Sequence, residues 1–330
     1  MPRDHQLCGL GNAIVDLFLE LSDAEFAALG FDRGTMRLVD HDEQHRLLTQ
    51  FAAGEPRLVS GGSVANSVIG FSQLGGKGAF VGCVGDDRYG LHYEREFEQL
   101  GITFACPPLV GETTGTCVAV LTPDSERTMR TCLAVSGHLA ERHVDVDRIA
   151  ASDWLFVEGY VFANPATGQG AIRKALDAAK QSGTKVALTC SDAFVPEVFG
   201  DAFGAALKQA DLLFANATEA QALTKTGSAA DAFAQLKGLV PNCVVTDGPH
   251  GAHVRYAGTE CHVPAYACTP KDLTGAGDMF AGGFLYGVTH GLDPATAAKG
   301  ANFLAMKVIT QLGARLHSGA RDWWAEATKS

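Results

Sequence analysis

The chain has 330 residues, 46% of them hydrophobic and 19% charged, and carries a formal net charge of −11. This is an ordinary globular composition, and without a run or stripe of Lys and Arg it excludes a nucleic-acid footprint. No stretch approaches 18 continuous apolar residues and "MPRDHQLCGLGNAIVD" lacks the apolar core of a signal peptide, so the expectation is a cytoplasmic protein with no membrane partner.

In chain order, "GNAIVD" (11–16) places Asn12 and Asp16 at the end of a first strand. "LFLELSD" (17–23) and "TMRLVD" (35–40) alternate as half-exposed strands do, and "TGTCVAVLTP" (114–123) and "RTMRTCLAV" (127–135) repeat that pattern. Such strands form a small antiparallel sheet with one solvated face. They predict a lid over about 17–40 and 104–135, inserted into a single domain spanning 1–330. Between its two parts, "GGSVANSVIGFSQLGG" (61–76) reads as a glycine turn into a helix, followed by the strand "GAFVGCVG".

From about residue 150 the pattern changes. "DWLFVEGY" (153–160), "TKVALTCSD" (184–192), "DLLFANATE" (211–219) and "NCVVTDG" (242–248) are strands buried on both faces, with starts 27–31 residues apart. Helical spacing fills the gaps, as in "GQGAIRKALDAAKQSG" and "DAFGAALKQA". The fold class is therefore α/β, a doubly wound and mostly parallel sheet with helices on both faces. The nine cysteines include no C-x-x-C and the eleven histidines no H-E-x-x-H, which argues for reduced thiols and against a zinc site.

"KDLTGAGDMFAGGFLYG" (271–287) carries the chemistry. Small residues at a helix start let backbone N–H groups converge, and the helix dipole favours an anion there. Asp278 lies about one turn inside that helix. An anion hole beside a carboxylate suits phosphoryl transfer, with the carboxylate taking the acceptor's proton. A tight turn followed by a dipole-compensating aspartate is the plainer reading of the same residues. The dinucleotide fingerprint is absent, because Phe280 occupies the place of its third glycine.

Four motifs in order resemble the ribokinase and adenosine kinase family, the PfkB-type carbohydrate kinases. Asp272, Gly275, Ala276, Gly277, Asp278, Phe280 and Gly283 match its C-terminal signature. Gly61, Gly62 and Asn66, then Gly85, Asp87 and Gly90, match its N-terminal one. Asn216 and Glu219 match N-x-x-E, and Thr246, Gly248 and Gly251 match T-x-G-x-x-G. The resemblance implies a ribokinase-like fold with a β-sheet lid. It implies ATP and Mg²⁺ as cofactors, with potassium as a further monovalent cation near Asp272. Asp278 becomes the base and the N–H groups of Gly275, Ala276 and Gly277 the anion hole. Asn216, Glu219, Thr246, Gly248, Gly251 and Asn302 fall to ATP, with Glu219 reaching Mg²⁺ through water. Read alone, Asn216 and Glu219 have the spacing of a capping box.

Asn12, Asp16, Gly62 and Asn66 are placed by the resemblance at the acceptor, a small-molecule nucleoside or sugar. "FVGCVGDD", "TGTCVAVLTPD" and "FANATEA" resemble the adenosine kinase branch, which would set Phe194 against a purine. Adenosine is thus the first expected acceptor. A free sugar or sugar phosphate is the alternative within the class, and a non-catalytic nucleoside or sugar sensor the alternative outside it. Two lid arginines, Arg37 and Arg130, face either the pocket, where they would recognise an anionic acceptor, or solvent. Either a monomer or a homodimer is compatible with such a lid.

Overall fold

The structure is a computed structural model that describes residues 3–51, 54–124 and 127–329; residues 125–126 of the expected lid lie outside them. Its strands in chain order are β1 (His5–Leu10), β2 (Ile14–Glu20), β3 (Met36–Leu38), β4 (Arg57–Gly61), β5 (Gly78–Val81), β6 (Thr103–Phe104) and β7 (Gly115–Leu121). They continue as β8 (Arg127–Cys132), β9 (Ser152–Val157), β10 (Lys185–Thr189), β11 (Leu212–Asn216), β12 (Asn242–Thr246), β13 (Ala252–Tyr256) and β14 (Thr259–Val263).

Nine strands form one sheet in the order β14-β13-β12-β11-β10-β9-β1-β5-β6. From β12 to β6 every pairing is parallel, and β13 and β14 are added antiparallel at the far edge. The alternation of side chains explains why these strands read as unbroken apolar runs. In β9, Leu155 and Val157 join the core on one face while Trp154 and Phe156 join the core on the other. Helix Gly168–Ser182 packs on the first face, and helices Ser63–Gln73 and Ala276–Thr289 on the second. No helix among the described residues is long and apolar enough to cross a membrane.

The small sheet has the order β3-β8-β7-β2-β4 and corrects the expected lid in three ways. It is mixed, since β2 runs parallel to β7 and β3 parallel to β8. Its edge strand β4 comes from a third stretch, 57–61, and β6, within the expected lid, belongs to the large sheet. Its outer face is not solvated either. Gln44 of helix His41–Phe51 is buried there, donating to the carbonyls of Thr116 and Arg130 at 2.9 and 2.7 Å. That cover explains why Thr116, Val118 and Val120 of β7, which share this face, are buried.

Asp87 fastens the point where the chain passes from the large sheet into β7. Its carboxylate accepts from Tyr89 and Gly90 N–H at 3.2 and 2.8 Å, and from Thr114 N–H and hydroxyl at 3.0 and 2.6 Å. Gly90 packs so tightly that a Cβ there would stand 1.9 Å from the Gly85 carbonyl oxygen. The Gly85, Asp87 and Gly90 motif is thus a joint of the fold.

Candidate functional site

The carboxyl-terminal ends of β9 to β12 open into a cleft of about 310 Å³ lined by Ser63, Asn216, Glu219, Thr246, Gly275, Ala276, Gly277 and Asp278, among others. Open α/β sheets bind ligands at such strand ends. Two helices start on glycine at its floor. Gly62 (φ 111°) caps helix Ser63–Gln73 and Gly275 (φ 79°) caps helix Ala276–Thr289, neither with a side-chain cap. Neither can carry a Cβ: it would fall 2.0 Å from the Asn12 carbonyl oxygen at Gly62 and 2.3 Å from that of Ala314 at Gly275. Gly277 is different, for a Cβ there would meet nothing within 4 Å. Its N–H, in the first turn where no intrahelical acceptor exists, has no backbone acceptor among the described residues.

Asp278 ties the two helices together. Its Oδ1 accepts from the Ser63 hydroxyl at 2.7 Å and its Oδ2 from Asn66 Nδ2 at 3.0 Å. Burial pushes the carboxyl up to about 6, the two hydrogen bonds oppose the shift, and the nearby Asp16 carboxylate adds to it. Such a group is ionised at neutral pH yet basic enough to accept a proton. Asn66 leaves its own Oδ1 buried and unpartnered among the described residues, an open acceptor for a ligand hydroxyl.

Asp16 lies inside β2, in the small sheet, and not at the end of the first strand as expected. Its carboxylate accepts from Arg127 at 2.8 Å. Arg127 is buried, meets Asp272 at 3.5 Å and lies over the Phe18 ring. Burial works against its charge, but the carboxylates of Asp16 and Asp272 outweigh it and hold the guanidinium protonated. Asp272 also accepts from the N–H groups of Thr274 and Gly313, so its carboxylate is matched by Arg127 and the backbone.

Strand register places the remaining lid side chains. Asp16 pairs with Cys117, which pairs with Thr131; Leu17 pairs with Val118, which pairs with Arg130, itself opposite Arg37. Because side chains alternate, Arg37 and Arg130 share the face opposite Asp16. Arg130 is buried there, over the Phe31 ring at 3.9 Å and bonded to the Thr35 carbonyl, while Arg37 is exposed beside Asp32. The Asp16 face carries Met36, Leu38, Cys117, Ala119, Arg127, Met129 and Thr131 instead. Leu38 is 63% exposed.

Asn12 is buried just beyond β1. Its Nδ2 donates to Glu158 at 2.8 Å and its Oδ1 accepts from the Ser136 hydroxyl at 3.2 Å, so it braces the site more than it opens to it. Glu158 also accepts from Val64 N–H at 3.1 Å, and burial pushes its carboxyl up to about 7.

Asn216 and Glu219 form a complete capping box. Asn216 Oδ1 accepts from Glu219 N–H, while Glu219 accepts from Asn216 N–H and Nδ2. Burial raises the Glu219 carboxyl to about 7, with the Asp192 and Asp278 carboxylates adding to the shift. Among the described residues no cluster of three or more ligating side chains could cage a metal. A hydrated Mg²⁺ arriving with a nucleotide fits this excess of negative charge better than a resident ion. Thr246 reaches the same cleft. Gly248 and Gly251 turn the chain from β12 into β13, both at positive φ. Asn302 spends its amide on the carbonyls of Val263 and Pro264, both at 3.1 Å, pinning the end of β14 and the residue after it. Phe194 is half-buried and leans on Tyr160 and Phe199, with ring centroids 6.1 and 6.4 Å away.

The motifs do not single out Ser63, Arg127 or Glu158. Ser63 directly follows the Gly-Gly turn, and Glu158 is an acid closing an apolar strand, which are usable signals. Arg127 is placed only by register.

The model of the pfkB family carbohydrate kinases matches residues 31–320. The adenosine kinase of Saccharomyces cerevisiae is 27% identical over 326 residues, covering 92% of this chain and 94% of that protein. A fructokinase of Klebsiella pneumoniae is 30% identical over 257 residues, covering 74% of this chain and 83% of its own length. The crystal structure of adenosine kinase from Sinorhizobium meliloti superimposes with a TM-score of 0.88 at 31% identity, covering 98% of this chain and 99% of that one.

Proposed function

The chain belongs to the pfkB family of carbohydrate kinases and is a phosphotransferase with an alcohol group as acceptor; from that premise we propose that its acceptor is a ribonucleoside, adenosine first. The observation that carries this reading is the lid face on the Asp16 side. It offers Met36, Leu38 and Met129 to whatever lies beneath, with Leu38 largely exposed. An apolar roof suits a flat nucleobase, whereas a free sugar would leave it in contact with hydroxyls. A sugar phosphate would need a cation there as well; Arg127 on that face is already paired with Asp16 and Asp272, Arg57 lies over Phe18, and Arg37 and Arg130 lie on the other face. The end-to-end similarity to proteins named adenosine kinase supports the same choice.

In this reading Asp16 and Asn66 hold the ribose hydroxyls, Gly62 allows the sugar close to the backbone, and Asp278 takes the proton of the primary hydroxyl. Ser63 and Asn66 fix the carboxylate for that step. The N–H groups of residues 275–277 receive the charge that develops on the transferred group. Asn216, Glu219 and Thr246 would face ATP, the phosphoryl donor, and a Mg²⁺ bound with it, whose charge would offset that of the phosphates.

A side-by-side assay of adenosine, ribose, fructose and fructose phosphates tests the choice. Adenosine should have a kcat/KM at least about tenfold above the sugars, a margin of about 1.4 kcal/mol. Phe194→Ala should narrow that margin by roughly 1–3 kcal/mol if the ring stacks on the base. Preference for any sugar, with Phe194→Ala neutral, overturns the nucleoside. Tight nucleoside binding without turnover would make the protein a sensor.

A further inference from the structure

Glu96, on helix Arg88–Gln99, lies outside the cleft, and its two carboxylate oxygens serve two different parts of the molecule. Oε2 accepts from the N–H of Ser60 in β4 at 2.8 Å. Oε1 accepts from the Arg315 guanidinium at 2.9 Å. Ser60 pairs with Val15, the neighbour of Asp16, so this end of the carboxylate holds the lid strand beside the acceptor aspartate. Arg315 follows Ala314, whose carbonyl touches Gly275 so closely that no Cβ fits between them, and Gly313 N–H donates to Asp272 at 2.8 Å. The other end therefore holds the segment that backs the anion hole.

The pair is largely sheltered, with side chains 12% and 25% exposed, so salt screens it less than a surface pair. Burial opposes the charge on Glu96, and Arg315 with the Ser60 N–H outweighs it, keeping the carboxyl below its ordinary range. A carboxylate engaged through both oxygens cannot follow one partner without straining its bond to the other. The same helix is tied to β4 a second time by the Tyr93 hydroxyl, which donates to the Gly61 carbonyl at 3.1 Å.

We propose that Glu96 and Arg315 are positioning residues that form a strut between the acceptor edge of the lid and the anion hole, so that occupation of one site tightens the other. The inference rests on the kinase reading above. It predicts a coupling between the two ligands that is reciprocal by thermodynamic linkage.

The experiment measures adenosine Kd by calorimetry with and without a non-hydrolysable ATP analogue plus Mg²⁺, in the wild type, Glu96→Gln, Arg315→Met and the double variant. The wild type should bind adenosine more tightly when the analogue is present. In each single variant that ratio should fall at least about fivefold, and the double variant should lose no more than either alone. Glu96→Gln keeps the shape and the Ser60 bond, so it tests the strut even if Arg315→Met does not fold. A wild-type ratio of one overturns the strut, as does an unchanged ratio in Glu96→Gln, whether or not its melting temperature drops. Binding without product formation would instead sink the kinase reading and leave the ratio readable. If adenosine does not bind, ribose or fructose serves as the probe and only the nucleoside assignment falls.

Discussion

Two helices begin on glycine at the floor of one cleft, yet they present different chemistry to it. The helix at Ser63 has its first turn filled: Val64 N–H is taken by Glu158, Gly62 is pressed against Asn12, and the side chains of Ser63 and Asn66 reach across to Asp278. The helix at Ala276 keeps its first turn bare around Gly277. One start aims side chains at a carboxylate; the other leaves backbone donors for an anion. A glycine before a helix is therefore no function by itself, and what surrounds the first turn decides its use.

The largest expected effect breaks the contact between the two helices. Asp278→Asn should lower turnover by ~10²–10⁴ while nucleotide binding persists; more than a tenth of the wild-type rate would remove Asp278 from the role of base. Its folded pKa of about 6 lies above the ordinary 3.8, so the ligand-free fold binds an extra proton in that interval and loses stability as pH rises through it. Asp278→Asn should accordingly melt higher than wild type at pH 8. The wild-type rate should fall as pH drops through about 6, where the base becomes protonated.

The glycines sharpen the comparison next. Gly62→Ala should cost on the order of 3 kcal/mol or more in chemical denaturation, combining a glycine-only backbone with a clash. Gly277→Ala should fold normally and raise the KM for ATP, because its methyl enters open space over the anion hole. Equal melting temperatures for the two would contradict the distinction.

Asp16→Ala should raise the acceptor KM by ~10–100-fold, the scale of a lost charged hydrogen bond at roughly 1.5–3 kcal/mol, and leave that of ATP nearly unchanged. Parallel losses for both substrates would make Asp16 a structural partner of Arg127. The smallest effect falls on Glu219→Gln, which should move the Mg²⁺ titration of the rate to higher concentration. A lowered melting point with an unmoved titration would reduce Glu219 to its capping box.

Strands buried on both faces were legible because nothing interrupts their apolar runs, and the helix at Ala276 because its glycines and aspartate stand in a strict order. The lid was harder. Its edge strand Arg57–Gly61 is short and partly polar, and its mixed pairing joins segments about a hundred residues apart. Arg130 shows why a residue's direction was not readable: an arginine on an alternating strand suits either face until register is known. Arg127, three positions earlier, points the other way and enters the site. Glu158 and the bracing role of Asn12 were hidden differently, because the two side chains are brought together only by the turn after β1 and the end of β9.

The joint at Asp87 has a consequence for how such a lid can diversify. The strand leaving at Gly115 and the chain returning at Leu133 stand in contact, since a Cβ on Gly115 would lie 2.7 Å from the Leu133 carbonyl oxygen. A segment whose two ends already touch can be lengthened, shortened or replaced at little entropic cost, because closing its loop scarcely depends on its length. The β7–β8 hairpin is thus a cassette seated in a fixed socket. The face it turns toward the cleft can change while the joint and the two glycine-started helices stay where they are.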